Sequence, residues 1–180
     1  MGKSVLILSG SPRRGGNSDT LCDAFMRGAE EGGNQVEKIF LRDQKIGYCT
    51  GCGVCSERGL PCPQRDDMAA ILDKMIRAAV IVMATPVYFY TMDAQMKTLI
   101  DRTCSRYTEI TGKDFYFIVA AAEPDVSAME RTIEGFRGFT SCLEDAREKG
   151  IVYGVGAWKV GEIQNTPALE EAYQMGRRVG

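Results

Sequence analysis

The chain has 180 residues, 44% of them hydrophobic and 26% charged, and a formal net charge of -2. That balance fits a single globular domain that buries its own core and argues against a disordered chain. It offers no basic footprint for nucleic acid or an anionic membrane surface, and no apolar run nears the roughly 20 residues that a bilayer span needs.

Met1-Gly2-Lys3-Ser4 leads straight into an apolar run too short for a secretory leader, and no small-residue cleavage site follows. A cytoplasmic location is expected, where structural disulfides are disfavoured. Ser4 to Ser9 is continuous and apolar, as in a parallel strand buried on both faces. Asn17-Ser18 opens a helix to about Gly32, with Leu21, Ala24, Phe25 and Ala29 on one face and Gly32-Gly33-Asn34 as its stop. Gln35 to Leu41 alternates apolar and polar residues, which suits a strand near a sheet edge. Residues 43–65 read as loop. Asp66-Asp67 caps a helix to about Arg77 that buries Met68, Ile71, Leu72 and Met75. Ala79 to Ala84 is a third buried strand, ended by Thr85-Pro86. Residues 92–106 read as a helix and Phe115 to Ala122 as a fourth strand. Val126 to Lys149 reads as mostly helical, Ile151 to Ala157 as a fifth strand, and Pro167 to Arg178 as a closing helix. The alternation predicts an α/β fold: one doubly wound, five-stranded parallel sheet of order 2-1-3-4-5, with helices on both faces. Ligands then sit at the carboxyl ends of the strands, near the switch point. With no repeat or linker in view, residues 1–180 are expected to form a single domain with a cysteine-rich insertion at about 45–65.

After the first strand the sequence is Gly10-Ser11-Pro12-Arg13-Arg14-Gly15-Gly16-Asn17-Ser18-Asp19-Thr20. A strand, a loop of small and hydroxyl residues and a helix N-terminus together hold a phosphate, because free N–H groups and the helix dipole meet the anion. Ser9, Ser11, Asn17, Ser18 and Thr20 add side-chain hydrogen bonds, and Arg13 adds charge. The string is neither the G-x-G-x-x-G fingerprint nor a Walker loop. Its uncharged donors suit a phosphate monoester such as that of FMN. Asn17 and Ser18 also read, more plainly, as helix caps. Asp19 is expected to point away to solvent.

The third strand leads into Pro86-Val87-Tyr88-Phe89-Tyr90, beside the phosphate loop in this topology. Aromatic rings and exposed amides suit a flat isoalloxazine, although Tyr88 and Tyr90 also read as packing aromatics. Ala120-Ala121-Ala122 keeps side chains small where a backbone can approach a cofactor. Lys97, Asp101 and Arg102 read as a structural ion-pair set on the following helix. Trp158 is a surface aromatic within reach of a partner or the flavin.

Gly10-Ser-Pro-Arg with Gly16-Asn-Ser, followed by Pro86-Val-Tyr and Ile100-Asp-Arg, resembles the NADPH-dependent FMN reductase family over about residues 3–160. The resemblance implies a flavodoxin-like fold with FMN at Ser9, Ser11, Pro12, Arg13, Asn17, Ser18 and Thr20. The flavin edge would run along Pro86, Val87, Tyr88 and Phe89, with Ala121 as a weaker contact.

Seven cysteines and no histidine occur in the chain. Cys49, Cys52, Cys55 and Cys62 follow a C-x2-C-x2-C-x6-C spacing, and Gly51, Gly53 and Gly59 let that backbone turn tightly. The first three positions match the loop that wraps an iron–sulfur cube in bacterial ferredoxins. Zinc, a Cys52/Cys55 thiol–disulfide pair and a vestigial site stay open alongside it. Cys22, Cys104 and Cys142 fall in helical stretches and are expected to be buried small residues. Together with Asp66-Asp67-Met68, the cluster resembles the iron–sulfur flavoprotein branch of the family. That resemblance implies a [4Fe–4S] cluster on Cys49, Cys52, Cys55 and Cys62, passing electrons to FMN in a homodimer or homotetramer.

The sequence therefore points to an FMN-dependent oxidoreductase that takes hydride from NAD(P)H, or electrons from a ferredoxin-like donor. Its electrons would go to a small acceptor such as a flavin, quinone or metal ion. An electron carrier without its own substrate is the competing reading, and a thiol-based redox sensor is a third. The cofactor does the chemistry in each of the first two, so no catalytic acid or base is assigned.

Overall fold

A computed structural model describes residues 2–180. The chain order is β1 (Ser4–Ser9), α1 (Asn17–Glu31), β2 (Gln35–Phe40), α2 (Met68–Arg77), β3 (Val80–Tyr88) and β4 (Thr91–Met92). It continues with α3 (Ala94–Arg102), β5 (Asp114–Ala120), α4 (Glu130–Thr140), β6 (Arg147–Gly154) and α5 (Pro167–Arg177). The sheet order is β2-β1-β3-β5-β6. Every pair along that path is parallel. Counting parallel strands alone, this is the expected 2-1-3-4-5.

The two faces of the sheet carry separate cores. Leu6, Leu8, Ile81, Met83, Phe115 and Phe117 point to one side, where α2, α3 and α4 add Met75, Leu99 and Phe136. Val5, Ile7, Val80, Val82 and Ile118 point to the other, where α1 and α5 add Leu21, Phe25 and Ala172. Strands buried on both faces read as unbroken apolar runs, which is why β1 and β3 stood out in the sequence. The four residues expected on the buried face of α2 are buried there. No helix among the described residues is long and apolar enough to cross a membrane.

Three expectations need correcting. β3 runs on to Tyr88 instead of ending at Thr85-Pro86. The carbonyl of Ala84 accepts from the N–H of Gly10, so that residue faces β1. Pro86, two positions on, faces the same way, but β1 has already ended at Ser9. Its missing N–H therefore leaves no ladder bond unmade. Val87 and Tyr88 then pair antiparallel with the short β4. The second correction concerns Val126 to Lys149, which is a 3₁₀ turn followed by α4 and then the start of β6. Asp145 at φ 53° breaks the helical path. The charged run Arg147-Glu148-Lys149 looked helical because β6 is an edge strand with an exposed first half. Third, Cys104 and Cys142 are exposed, and only Cys22 of that trio is buried.

Helices α1 and α5 pack backbone to backbone. A Cβ on Gly28 would lie 2.1 Å from the Tyr173 carbonyl oxygen, and one on Gly176 would lie 2.1 Å from that of Phe25. No L side chain fits without moving a helix. We expect Gly176→Ala to cost about 2 kcal/mol in urea denaturation, as overpacking does. Gly138→Ala, which meets open space in the exposed part of α4, should leave stability unchanged or raise it by about 0.5 kcal/mol.

Candidate flavin site and cysteine loop

At the carboxyl ends of β1, β3 and β5 lies a cavity of about 300 Å³. Its walls include Ser11, Pro12, Arg13, Asn17 and Ser18 on one side, and Pro86, Val87 and Tyr88 on another. Ala120, Ala121, Ala122, Ala157 and Trp158 complete it. The structure thus gathers nine of the residues singled out from sequence around one space, and Trp158 joins them.

Three residues singled out with them lie elsewhere. The Ser9 hydroxyl is fully buried and donates to Asp19 at 3.2 Å. Thr20 Oγ1 donates to the Gly15 carbonyl at 3.3 Å. Phe89 is 99% exposed and held at φ 50°.

The N-terminus of α1 is left uncapped. Gly16 occupies the cap position, so no side chain accepts from the first-turn N–H groups there. The amides of Asn17, Ser18 and Asp19 have no carbonyl one turn earlier to bond. Ser18 is 2% exposed, and its Oγ has no partner. Ser11 closes the loop on itself, donating to the Arg13 carbonyl at 2.8 Å. A Cβ on Gly16 would strike that same hydroxyl at 2.8 Å. The Asn17 side chain reaches across to the carbonyls of Ala157 and Lys159, at 2.9 and 3.0 Å, and so fixes the wall that bears Trp158. Arg14 is committed to Asp43 and stacks over Phe40. Arg13 is the loop arginine on the cavity wall.

Asp19 does not face solvent as expected. It is 5% exposed, and its carboxylate accepts from Ser9 Oγ, the Gly15 amide at 2.9 Å and the Lys38 ammonium at 3.0 Å. Lys38, from β2, neutralises it behind the loop. An acidic residue one turn into the helix is thereby kept off the cavity.

Asp93 was not anticipated. It caps α3 by accepting from the Met96 amide at 3.2 Å and receives the Thr85 hydroxyl at 3.0 Å. It is 1% exposed, and its second oxygen has no partner. Burial pushes this carboxyl up to about 7, against the Thr85 and backbone hydrogen bonds that pull it down. A Cβ on Gly10 would lie 2.6 Å from Asp93 Oδ1 and 3.1 Å from the Ala84 oxygen.

At the far end of α3, Arg102 departs from the expected ion-pair set. Lys97 and Asp101 do pair at 2.5 Å. Arg102 instead is buried beneath the cysteine loop. It donates to both Asp66 oxygens at 2.7 and 3.0 Å, to the Gly47 carbonyl at 2.6 Å and to Gln64 Oε1 at 3.1 Å. Cys62 Sγ lies 3.7 Å from the same guanidinium. Arg102 holds the Asp66 carboxyl below its ordinary range, helped by the Gly47 and Met68 amides.

The loop above Arg102 turns at Gly51, Gly53 and Gly59, each with φ between 61° and 73°. Amide and hydroxyl donors at Val54 and Thr50 favour the Cys52 thiolate and lower its pKa. Among the described residues, no three His, Cys, Asp or Glu side chains converge on one metal position. Cys49 and Cys52 are exposed, while Cys55 and Cys62 are half-buried.

Two substitutions test these anchors. The native carboxyl of Asp93 binds its proton more tightly than the unfolded one, so stability falls as pH rises from about 4 to about 7. Asp93→Asn should keep the cap, remove that slope and raise the midpoint at pH 8, as read by urea denaturation across pH. Arg102→Met strands Asp66 and should cost about 3 kcal/mol. Trypsin should then cut first after Arg58 or Arg65.

Residues 4–140 match the NADPH-dependent FMN reductase family. An iron–sulfur flavoprotein of Archaeoglobus fulgidus is 45% identical over 100 residues, covering 56% of this chain and 44% of that protein. One from Methanosarcina thermophila is 36% identical over 96 residues, covering 53% and 50%. The chain thus spans about half the length of the curated relatives it matches. An FMN-dependent NADH-azoreductase of Bacillus anthracis, solved with FMN, shares the fold at TM-score 0.72 and 18% identity, with 99% of each chain covered. With 137 of 180 residues matched, in the expected strand order and with both expected loops on one cavity, the chain belongs to the NADPH-dependent FMN reductase family and has a flavodoxin-like fold.

Proposed function

We propose that the chain is an FMN-dependent NAD(P)H oxidoreductase, with the FMN phosphate at the N-terminus of α1. The flavin would lie along Pro86, Val87 and Tyr88, with the backbone of Ala120 to Ala122 beneath it. One observation carries this reading: a buried, partnerless Ser18 hydroxyl beside three uncapped helix amides, at the mouth of a cavity. Such donors are costly to leave unpaired in a folded protein. An anion with several acceptor oxygens satisfies them together.

FMN, when bound, supplies hydride acceptance and single-electron release. The chain's own residues do the rest. The amides of Asn17 to Asp19 and Ser18 Oγ hold the phosphate. Arg13 offsets its charge from the exposed side, and Lys38 cancels Asp19 behind it. Tyr88 and Trp158 line the cavity with aromatic surface that a flat ring could pack against. Pro86 and the small alanines let backbone approach that ring.

Cys49, Cys52, Cys55 and Cys62 would hold a [4Fe–4S] cluster that supplies one-electron transfer. The donor chemistry fits: four thiols on a glycine-turned loop, with a guanidinium beside Cys62 to offset thiolate charge. Cys49 and Cys52 are exposed and Cys55 and Cys62 half-buried, so gathering the thiols would move the surface loop and not the core. The relatives' name, iron–sulfur flavoprotein, supports the same assignment. It also favours a second reading, an electron carrier fed by a ferredoxin-like donor. For the enzyme the acceptor is a small molecule, the carrier has no substrate of its own, and in either case the assembly is a homo-oligomer.

Ser18→Asp places a negative charge in the cradle. FMN affinity, followed by quenching of flavin fluorescence, should fall at least 100-fold with the circular dichroism spectrum unchanged. Anaerobically purified protein should show flavin bands and about four iron per chain. Oxidation of NAD(P)H by that sample supports the enzyme, and none supports the carrier. Unaltered FMN binding by Ser18→Asp would sink the phosphate assignment.

A further inference from the structure

Thr85 is fully buried, and its hydroxyl has one proton to give and two lone pairs. One lone pair takes the Asp93 amide at 3.0 Å. Two acceptors compete for the proton: the Pro86 carbonyl at 2.8 Å and Asp93 Oδ1 at 3.0 Å. With Asp93 ionised, only one of them is served, and the other faces the hydroxyl oxygen with no proton between. With Asp93 neutral, the chain closes. Asp93 Oδ1 donates to Thr85 Oγ1, and Thr85 donates to the Pro86 carbonyl. Oδ1 keeps a lone pair for the Met96 amide, and the partnerless Oδ2 costs less to bury as a carbonyl than as half of a carboxylate.

Both ends of this chain adjoin the flavin cavity. Pro86 lines it, and so does Ser11, next in sequence to the Gly10 that sits over the Asp93 carboxyl. The other titratable side chains on the surrounding elements make no hydrogen bond to Asp93. Arg13 is on the cavity wall, Arg14 pairs with Asp43, and Asp19 pairs with Lys38. Arg42 donates to the Pro12 carbonyl, and Tyr48 shares a groove with Ala94 and Gln95. Tyr88 ends β3; on α3, Lys97 pairs with Asp101 and Arg102 with Asp66. On α4, which packs against β4, Glu130 opens the helix, Arg131 lies over the Tyr90 ring and Glu134 pairs with Arg137. Burial and hydrogen bonds, and no neighbouring charge, set the proton affinity of Asp93.

We propose that FMN binding protonates Asp93, and that the neutral carboxyl, acting through Thr85, positions the Pro86 wall of the cavity. The inference rests on the phosphate lying at the N-terminus of α1. A phosphate dianion there brings negative charge to the loop above a buried carboxyl that has no cation paired to it, which disfavours the carboxylate. The proton comes from solvent and ends on Oδ1. Thr85 then turns its own proton from Asp93 to the Pro86 carbonyl. Asp93 is thus a positioning residue whose charge state is read by the flavin site.

The test titrates FMN into the full chain stripped of flavin, by calorimetry at pH 8 in two buffers of different ionisation enthalpy. The second pKa of a phosphate monoester is about 6, so the ligand enters as a dianion. Wild type should take up close to one proton per FMN. Its Kd should rise about fivefold from pH 7 to pH 8, because the unbound carboxyl titrates at about 7 and only its neutral form persists on binding. Asp93→Asn, and Asp93→Ser with its capping hydroxyl, should take up none and show no such rise. The infrared difference spectrum on binding should gain a protonated-carboxyl band in wild type alone. Thr85→Val breaks the chain and should weaken FMN binding about fivefold at pH 7, with Thr85→Ser restoring it. No uptake by wild type overturns the proposal, as does equal uptake by either Asp93 variant that circular dichroism shows to be folded. Unaltered affinity in Thr85→Val overturns the link to Pro86. Ser18→Asp separates this failure from that of the phosphate assignment. Its affinity falls where the assignment holds and Asp93 alone is wrong, and is unaltered where the assignment itself is wrong.

Discussion

The junction of Gly10, Ala84, Thr85 and Asp93 is the constraint from which both candidate sites take their positions. β1 ends there, β3 continues past it, and α3 begins. The Gly10 amide donates to Ala84, and Asp93 grips Thr85 while capping the helix. Because Gly10 carries no side chain, the loop between β1 and α1 leaves the sheet directly over the Asp93 carboxyl. The two walls of the cavity are therefore spaced by backbone contacts, which are harder to shift than side-chain packing.

Helix α3 transmits that placement to the second site. Its nine residues span about 14 Å at about 1.5 Å per residue. Asp93 fixes one end beside the cavity, and Arg102 fixes the other beneath the cysteine loop. The loop itself has almost no core of its own, with Tyr48 and Leu60 exposed. Its two ends are joined by the Lys45–Asp67, Gly47–Asp66 and Tyr48–Gln64 hydrogen bonds and seated on one guanidinium with carbonyl, carboxylate and sulfur partners. Planar, always charged and five-donor, arginine suits that role, and lysine does not offer the same fork.

The sheet was legible because its signal is strong: apolar runs at β1, β3 and β5 have no other use in a chain of this charge. The edge strand β6 was misread at its start because charge, not apolarity, dominates an exposed edge. The short β4 has only two residues, too few for any period to register. At the cavity, the residues read from sequence were those whose type suits a ligand. Asp93 and Lys38 were missed, and Arg102 was read as structural but with the wrong partners; Lys38 and Arg102 pair with carboxylates far off in sequence. Asp19 with Lys38 and Asp66 with Arg102 are pairings that tertiary structure alone brings together. Asp93 left one local trace, an Asp three residues before Met96 at a helix start, which is a cap signal.

A further regularity links the sites. Natural sequences usually satisfy local rules, and violations collect where a ligand is to be held. Helix α1 begins on an uncapped glycine although Ser11, Asn17 and Ser18 all stand within reach. Substituting a capping serine by glycine typically costs only a few tenths of a kcal/mol. A capping side chain at Gly16 would occupy the very amides an anion needs, and its Cβ would strike Ser11. The glycine keeps those amides free at slight cost. Gly51, Gly53 and Gly59 likewise carry the cysteine loop through left-handed turns that other residues adopt only at a cost. In both places glycine takes a backbone position that a side chain would spoil, and α3 holds the two segments in one frame.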